Sequence, residues 1–321
     1  MYADKIVEVR ERLRDMQKAT VEYVAHCLYD NGQRRMLVAD EVGLGKTWIA
    51  KGVIADAYER WCEKEHIEDD SFKVYYICSN QQLIAQNLKQ LNFTKDEKCI
   101  VSNVNRITML ALDNNSYNTP FQIFALTPDT SLSEKQGQGI KDERYMIYSI
   151  LHKESCFASK SNELGEFLEG TWRIDWKPKD NIKAIRADVE EAYKAILKQP
   201  NTNADMLKYS TEYFNLDANS SIWDVLKVVV DNFTSPYPHE MYQCVIGALR
   251  KALTQACLDQ MNANLFVMDE FQRYSQLLEA KEDNEQNTIA KRVFTQTDAK
   301  VLMLSATPFK AFTNTYDELH G

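Results

Sequence analysis

The feature that most constrains the fold is the stretch LVADEVGLGKTWIAKGVI, from Leu37 to Ile54. A short apolar run stops at Asp40, two glycines follow at Gly43 and Gly45, and a mostly helix-forming segment comes after them. Glycine permits the positive φ angles that a tight turn needs, so it suits an elbow between a strand and a helix. The stretch therefore predicts a strand, a glycine-rich loop and a helix, in that order.

Apolar runs and amphipathic segments alternate on both sides of this elbow. The predicted strands are Arg35–Ala39, Lys73–Ser79, Lys98–Ser102, Phe121–Thr127, Asn264–Phe271 and Ala299–Pro308. The predicted helices are Asp4–Tyr29, Thr47–Glu63, Asn80–Leu91, Ile182–Lys198, Ile222–Asn232 and Glu240–Met261. Strands that alternate with helices indicate βαβ units and a mostly parallel sheet. The predicted fold class is therefore α/β.

The alternation stops between about Ser133 and Asn262, where helix-like segments dominate and convincing strands are few. We therefore expect a sheet core that carries a large helical insertion. Residues 1–132 are predicted to form the first part of the core, 133–262 the insertion, and 263–321 the second part of the core.

The glycine elbow has the chemistry of a phosphate-binding loop. Its backbone amides and the free N-terminal amides of the next helix converge at the positive end of the helix dipole. Lys46 is expected to reach the β- and γ-phosphates of a nucleotide, and the Thr47 hydroxyl to ligate Mg²⁺. The general pattern GxxxxGK[ST] fails at one position, because Asp40 replaces its first glycine. The alternative is an ordinary strand-to-helix turn with a surface lysine.

Polar side chains follow two later apolar runs. Asp269 and Glu270 end the run LFVMDEF, where Asp269 is expected to hold Mg²⁺ and Glu270 to orient and deprotonate an attacking water. Ser305 and Thr307 end the run LMLSATP and are expected to hydrogen-bond the carboxylate pair across the strand ends. The alternatives are a solvent-facing pair of acids and local Ser/Thr turn caps.

Composition limits the remaining function classes. The net charge of −9 argues against coating DNA through bulk charge, although a local basic groove is compatible with it. The seven cysteines form no CxxC pair, which argues against structural zinc or a disulfide framework and predicts reduced thiols. No apolar run approaches the ~20 residues that cross a bilayer. The charged segment Met1–Asp15 lacks an apolar signal core, so a cytoplasmic protein is expected.

In this order, these motifs resemble the first RecA-like lobe of a superfamily-two helicase or translocase, closest to the Swi/Snf-type branch. DEVGLGKT is similar to motif I of that branch, MDEF to motif II (the DExx box) and SAT to motif III. YICSNQQLIAQN stands where motif Ia belongs, and ALTPDTS where motif Ib belongs. Phe271 and Gln272 replace the usual Ala-His after the DE pair, which removes the histidine that normally has a coupling role.

The resemblance implies a P-loop lobe that binds ATP and Mg²⁺ and acts on nucleic acid, DNA more than RNA. It assigns to the nucleotide Glu41, Val42, Gly43, Leu44, Gly45, Lys46 and Thr47, with Gln17 where these proteins read the adenine edge. It places at the nucleic-acid backbone Asn80, Gln81, Thr127, Asp129, Thr130 and Ser131. Ordinary helix capping is the alternative for each of these six.

The resemblance also implies a second RecA-like lobe with arginine fingers, for which no room remains before Gly321. Slow ATP hydrolysis by this chain alone is therefore expected, because such fingers contribute roughly 10³–10⁵ in rate. By analogy, the combination suggests a bacterial helicase-like protein associated with restriction or phage defence.

Two questions stay open at the level of sequence. The insertion contains GTWRIDWKPKDNIKAIR, whose tryptophans, interleaved with basic residues, either grip nucleic acid or pack a helical subdomain. The whole chain is either an ATP-driven motor lobe or a nucleotide-gated protein-interaction module that docks a partner on the insertion without translocation.

Overall fold

The structure is a computed structural model of the chain. It describes residues 2–41, 43–64, 71–78, 81–101, 106–112, 119–126, 137–171, 176–200, 213, 215–217, 220–233, 237–271 and 299–306, with only the backbone of 81–83. Contacts divide the chain into two compact units. We call one the sheet unit (Met1–Arg106, Asn115–Leu132 and Asn262–Gly321) and the other the helical unit (Ile107–Asn114 and Ser133–Met261).

The sheet unit contains a six-stranded sheet in which every described pairing is parallel. The strands are β1 (Arg35–Ala39), β2 (Phe72–Ile77), β3 (Ile100–Val101), β4 (Phe121–Leu126), β5 (Leu265–Met268) and β6 (Lys300–Ser305). Their order across the sheet is β1-β6-β5-β2-β4-β3. The prediction of an α/β fold with a parallel sheet is confirmed.

Within the described residues of the sheet unit, the α-helices are α1 (Ala3–Arg12), α2 (Asp15–Ala25), α3 (Lys46–Cys62) and α4 (Gln81–Leu91). The prediction of one helix over Asp4–Tyr29 is wrong, because Leu13 is extended and residues 26–30 form a π-helical turn. The break lets the buried side chains of Leu13 and Val21 approach α3 at Gly52. A Cβ on that glycine would lie only 2.6 Å from Val21 and 3.1 Å from Leu13.

Alternate residues of the strands form one continuous core with these helices. Val74 and Tyr76 of β2, Val267 of β5 and Leu302 of β6 are buried on this face, as the two-residue period of a strand requires. At the amino ends of β2 and β4, Phe72 and Phe121 pack against Tyr58 of α3 with ring centroids 5.9 and 5.8 Å away. This aromatic cluster lies at the amino ends of the strands, whereas the polar side chains discussed below follow their carboxyl ends.

The helical unit is built from α5 (Lys141–Leu151), α6 (Ser155–Ala158), α7 (Ser161–Glu169), α8 (Ala187–Leu197), α9 (Ile222–Asp231) and α10 (His239–Asp259). Helix α10 packs against α8, α5 and the 3₁₀ turn Ile107–Ala111. The predicted helix from Ile182 begins only at Ala187. The segment before it is extended, since Ile185 bridges to Leu112 and the Arg186 amide donates to the Ala111 carbonyl.

Trp176 packs inside the helical unit, as the packing interpretation expects. Its ring stacks on Tyr145 with centroids 4.5 Å apart, and its indole N–H donates to the Gly165 carbonyl at 2.7 Å. The other tryptophan of the segment, Trp172, and the neighbouring Arg173 lie outside the described residues.

Candidate nucleotide-binding site

The glycine loop, the segment of Ser305 and the acid pair follow β1, β6 and β5, which are neighbours in the sheet. Strand β6 lies between β1 and β5, and its register pairs Ser305 with Ala39 and Met303 with Met268. Two backbone bonds extend this alignment past the strand ends: the Asp40 amide donates to the Ser305 carbonyl (3.2 Å), and the Asp269 amide to the Ile77 carbonyl (2.9 Å). Ligands of open α/β sheets bind outside the carboxyl ends of the strands, where these segments lie.

The loop after β1 has the backbone of a phosphate cradle. Gly43 and Gly45 adopt φ values of +93° and +81°, which side chains other than hydrogen disfavour. Helix α3 begins directly after Gly45, whose carbonyl accepts bonds from the Trp48 and Ile49 amides. The first amides of a helix and the positive end of its dipole favour an anion at this point. Val42 lies outside the described residues.

Lys46 curls back over this loop. Its Nζ donates to the Asp40 carbonyl at 2.7 Å and to the Glu41 carbonyl at 2.8 Å. These two bonds keep the ammonium beside the glycine loop. Because an ammonium carries three donors, its third N–H can serve a ligand while both carbonyl bonds persist.

Gln17 is buried against the same loop, with only 6% of its surface exposed. Its Oε1 accepts from the Arg14 amide (3.0 Å), which satisfies the start of α2, and its Nε2 donates to the Leu44 carbonyl (3.2 Å). The side chain therefore braces the loop against α2. The second hydrogen of the Nε2 amide is not used by these bonds and could donate to a ligand. That Gln17 reads the adenine edge stays a prediction.

The carboxylate pair lies at the end of β5 in a fixed geometry. Asp269 accepts the Glu270 amide on Oδ1 (2.9 Å) and the Tyr76 hydroxyl on Oδ2 (2.6 Å). The Tyr76 hydroxyl in turn accepts from Asn87 Nδ2 at 2.7 Å. Glu270 has a φ of +54°, an unusual angle for a non-glycine residue and one that recurs at functional sites.

Tyr76 begins the segment compared above with motif Ia, but the sequence alone predicted no role for it at the site. Its burial, and next the charge of Asp269, raise the pKa of its hydroxyl far above the ordinary value, so the hydroxyl stays a proton donor. No spacing in the sequence links it to Asp269, which lies 193 residues away. The available signal was weak: a tyrosine placed on the core face of a strand needs a partner for its hydroxyl.

The remaining predicted residues are placed unevenly. Ser305 is buried and its carbonyl joins β6 to the loop after β1, while the Asp269 carboxylate takes its described bonds from Tyr76 and Glu270. Gln81 is the first residue of α4, and nothing is described of its side chain. Outside the described residues lie Thr307, Asn80, Thr127, Asp129, Thr130 and Ser131.

The donors present suit Mg²⁺. Thr47 offers a hydroxyl and Asp269 a carboxylate, and Mg²⁺ is usually held by one or two carboxylates together with substrate phosphates and water. Within the described part of the chain, no group of three or more His, Cys, Asp and Glu residues is arranged to hold a metal. Nor does that part contain a helix long and apolar enough to span a membrane.

The family model described as "Type III restriction enzyme, res subunit" matches residues 10–150, which is less than half of the chain. The matched segment runs from α1 into α5 and includes Gln17 and Lys46. The prediction of a superfamily-two helicase-type lobe is confirmed, whereas the Swi/Snf-type branch stays a prediction. No curated protein matches the chain.

Proposed function

We propose that this chain is the ATP-binding lobe of a nucleic-acid-dependent ATPase, which hydrolyses ATP with Mg²⁺ and couples hydrolysis to movement on DNA. One observation carries the proposal: the glycine loop with Lys46 and the carboxylates Asp269 and Glu270 lie at the carboxyl ends of β1 and β5, with only β6 between them. The match of residues 10–150 to a helicase-type family supports the same reading.

Each residue has a defined task in this proposal. Lys46 donates to phosphate oxygens the ammonium N–H that its two carbonyl bonds do not use, and it stabilises the negative charge of the β- and γ-phosphates. Thr47 and Asp269 would hold Mg²⁺, whose charge would neutralise that of the transferring phosphoryl group. Glu270 orients the attacking water and accepts its proton.

The track is proposed to be DNA rather than RNA, contacted at the start of α4 and at the segment after β4. Phosphate contacts of this kind use hydroxyls, backbone amides and helix N-termini as well as lysines, so the acidic balance of the chain is compatible with them. Duplex translocation of the Swi/Snf type and a second lobe that supplies the arginine finger are the finer parts of the proposal.

The test is binding of a fluorescent ATP analogue with Mg²⁺, together with phosphate release with and without duplex DNA. We expect binding by the 321-residue chain and turnover well below ~1 s⁻¹. Lys46→Ala should abolish the binding, whereas Lys64→Ala, an exposed lysine just past the end of α3, should leave it intact. Equal binding by the wild-type protein and Lys46→Ala would overturn the proposal.

The competing function is the nucleotide-gated interaction module. It predicts ATP binding that Lys46→Ala abolishes, with turnover that neither DNA nor RNA changes. The decisive measurement is phosphate release by this chain joined to a second RecA-like lobe. Stimulation by duplex DNA would rule out the interaction module, because a docking switch has no need of DNA.

A further inference from the structure

A chain of hydrogen bonds runs from helix α4 to the carboxylate Asp269. Asn87, on the second half of α4, donates from Nδ2 to the Tyr76 hydroxyl at 2.7 Å. Tyr76 donates to Asp269 Oδ2 at 2.6 Å. Three side chains from α4, β2 and the end of β5 are thus connected in series.

The direction of this chain is determined by chemistry. A carboxylate only accepts hydrogen bonds, so the single hydrogen of the Tyr76 hydroxyl must point to Asp269. An amide nitrogen only donates, so Asn87 occupies a lone pair of the same hydroxyl oxygen. The two bonds cannot exchange donor and acceptor, because neither Asp269 nor the Asn87 nitrogen can take the other role. The arrangement therefore favours one orientation of Asp269.

Burial makes the arrangement rigid. Tyr76 is 1% exposed, and its ring belongs to the core between β2 and the helices. Asp269 accepts on both oxygens, from Tyr76 on Oδ2 and from the Glu270 amide on Oδ1, so its plane is held from two sides. Groups that hold a metal-binding side chain in this way set the affinity of the site for the metal.

We propose that Tyr76 and Asn87 are positioning residues for the metal-binding carboxylate, and that they link helix α4 to the nucleotide site. The inference rests on the proposed function, which makes Asp269 a Mg²⁺ ligand. Helix α4 begins at Gln81, one of the residues predicted to contact nucleic acid, so a displacement of α4 would alter the bond from Asn87 to Tyr76, the residue that donates to Asp269. The link does not use the position after Phe271, where the usual histidine is replaced by glutamine.

Two quantities are measured for each variant with a fluorescent ATP analogue. The first is the Mg²⁺ concentration that gives half-maximal binding, and the second is the affinity for the analogue in EDTA. Tyr76→Phe keeps the ring and removes the hydroxyl, and it should raise the Mg²⁺ requirement roughly tenfold. Asn87→Ala should raise it less. Affinity in EDTA should be unchanged in both, because neither side chain contacts the phosphate loop in this proposal.

Two matched controls separate positioning from general damage. Tyr75→Phe removes the hydroxyl of the preceding residue on the opposite face of β2, and Gln86→Ala truncates the exposed neighbour of Asn87 on α4. Both should bind Mg²⁺ and the analogue as the wild-type protein does. Should Tyr76→Phe fail to fold, Asn87→Ala carries the test, since it leaves the tyrosine ring and Asp269 in place.

A double variant tests the series arrangement. Because Asn87 acts through the Tyr76 hydroxyl, Tyr76→Phe with Asn87→Ala should need no more Mg²⁺ than Tyr76→Phe alone. Additive effects, or an unchanged Mg²⁺ requirement in Tyr76→Phe, would overturn the inference while the proposed function stands. A wild-type protein that does not bind the analogue with Mg²⁺ would overturn the proposed function, and the inference with it.

Discussion

The two units of the molecule use charged side chains in different ways. In the helical unit, the Glu143 carboxylate is 3% exposed and accepts from Arg250 (2.7 Å), the Thr108 hydroxyl (3.0 Å) and the Ile140 amide (3.1 Å). In the sheet unit, Arg60 pairs with Asp30 (2.6 Å) and Asp56 (2.7 Å) at the surface, with Asp30 42% exposed.

The comparison extends to the candidate site. Arg144 of the helical unit is also buried, and it donates to the Leu168 and Glu169 carbonyls at the end of α7, where the fold uses it as a cap. Lys46 of the sheet unit donates to loop carbonyls too, but it is only half-buried. Burial of charge therefore does not distinguish the candidate site from the helical unit. Polar groups that retain bonding capacity at the ends of strands indicate the site better.

The largest effect is expected when the buried ion pair of Glu143 and Arg250 is broken. Glu143→Ala removes the carboxylate that pairs with the mostly buried guanidinium of Arg250, so it should lower the free energy of unfolding by about 3–5 kcal/mol. Glu166→Ala, an exposed acid of α7, is the control and should change it by less than ~0.5 kcal/mol. Denaturant unfolding measures both, and similar losses in the two variants would contradict the comparison.

Alanine in place of one glycine in each unit should change stability in opposite directions. Gly45→Ala should destabilise the protein by about 1–2 kcal/mol, because φ there is +81°. The new Cβ would lie 2.5 Å from Gln17 Nε2, so binding of ATP should weaken as well. Gly247→Ala meets nothing within 4 Å inside α10 and should stabilise it by about 0.5–1 kcal/mol.

Thermal unfolding and binding of the fluorescent ATP analogue check the glycine pair. We expect Gly45→Ala to lower the melting temperature and Gly247→Ala to raise it. Only Gly45→Ala should weaken binding of the analogue. A stabilising Gly45→Ala that binds ATP normally would show that the loop does not need its left-handed backbone.

The smallest expected effect concerns the surface pair. Hydrogen bonds from Arg60, and next from His26, lower the pKa of Asp30 below its ordinary value of 3.8. A lowered folded-state pKa means that the contribution to stability is present above the unfolded-state value and is lost as the pH falls below about 4. Asp30→Asn and Arg60→Gln should both flatten this acid-side slope. Melting temperatures measured between about pH 3 and pH 6 test it, and an unchanged slope in both variants would contradict it.

Local patterns predicted much of the fold. Strand β1 has the predicted bounds, and α3 starts one residue before the predicted position, because glycine and apolar periodicity are signals within a few residues. Strand β3 begins two residues later than predicted, because Glu97–Cys99 form a 3₁₀ turn. The first helix was predicted without its break, because the gain from packing Leu13 against α3 depends on a residue 39 positions further along the chain.

For the site, the sequence by itself determined which residues are proposed to carry the chemistry. A glycine loop with Lys46 and Thr47, and two acids after an apolar run, are recognisable because each is a short contiguous pattern. Only the tertiary structure decided that β6 lies between β1 and β5, and that Tyr76 holds Asp269 from 193 residues away. The period of a strand tells which side chains share a face, but the order of the strands depends on packing across the whole unit.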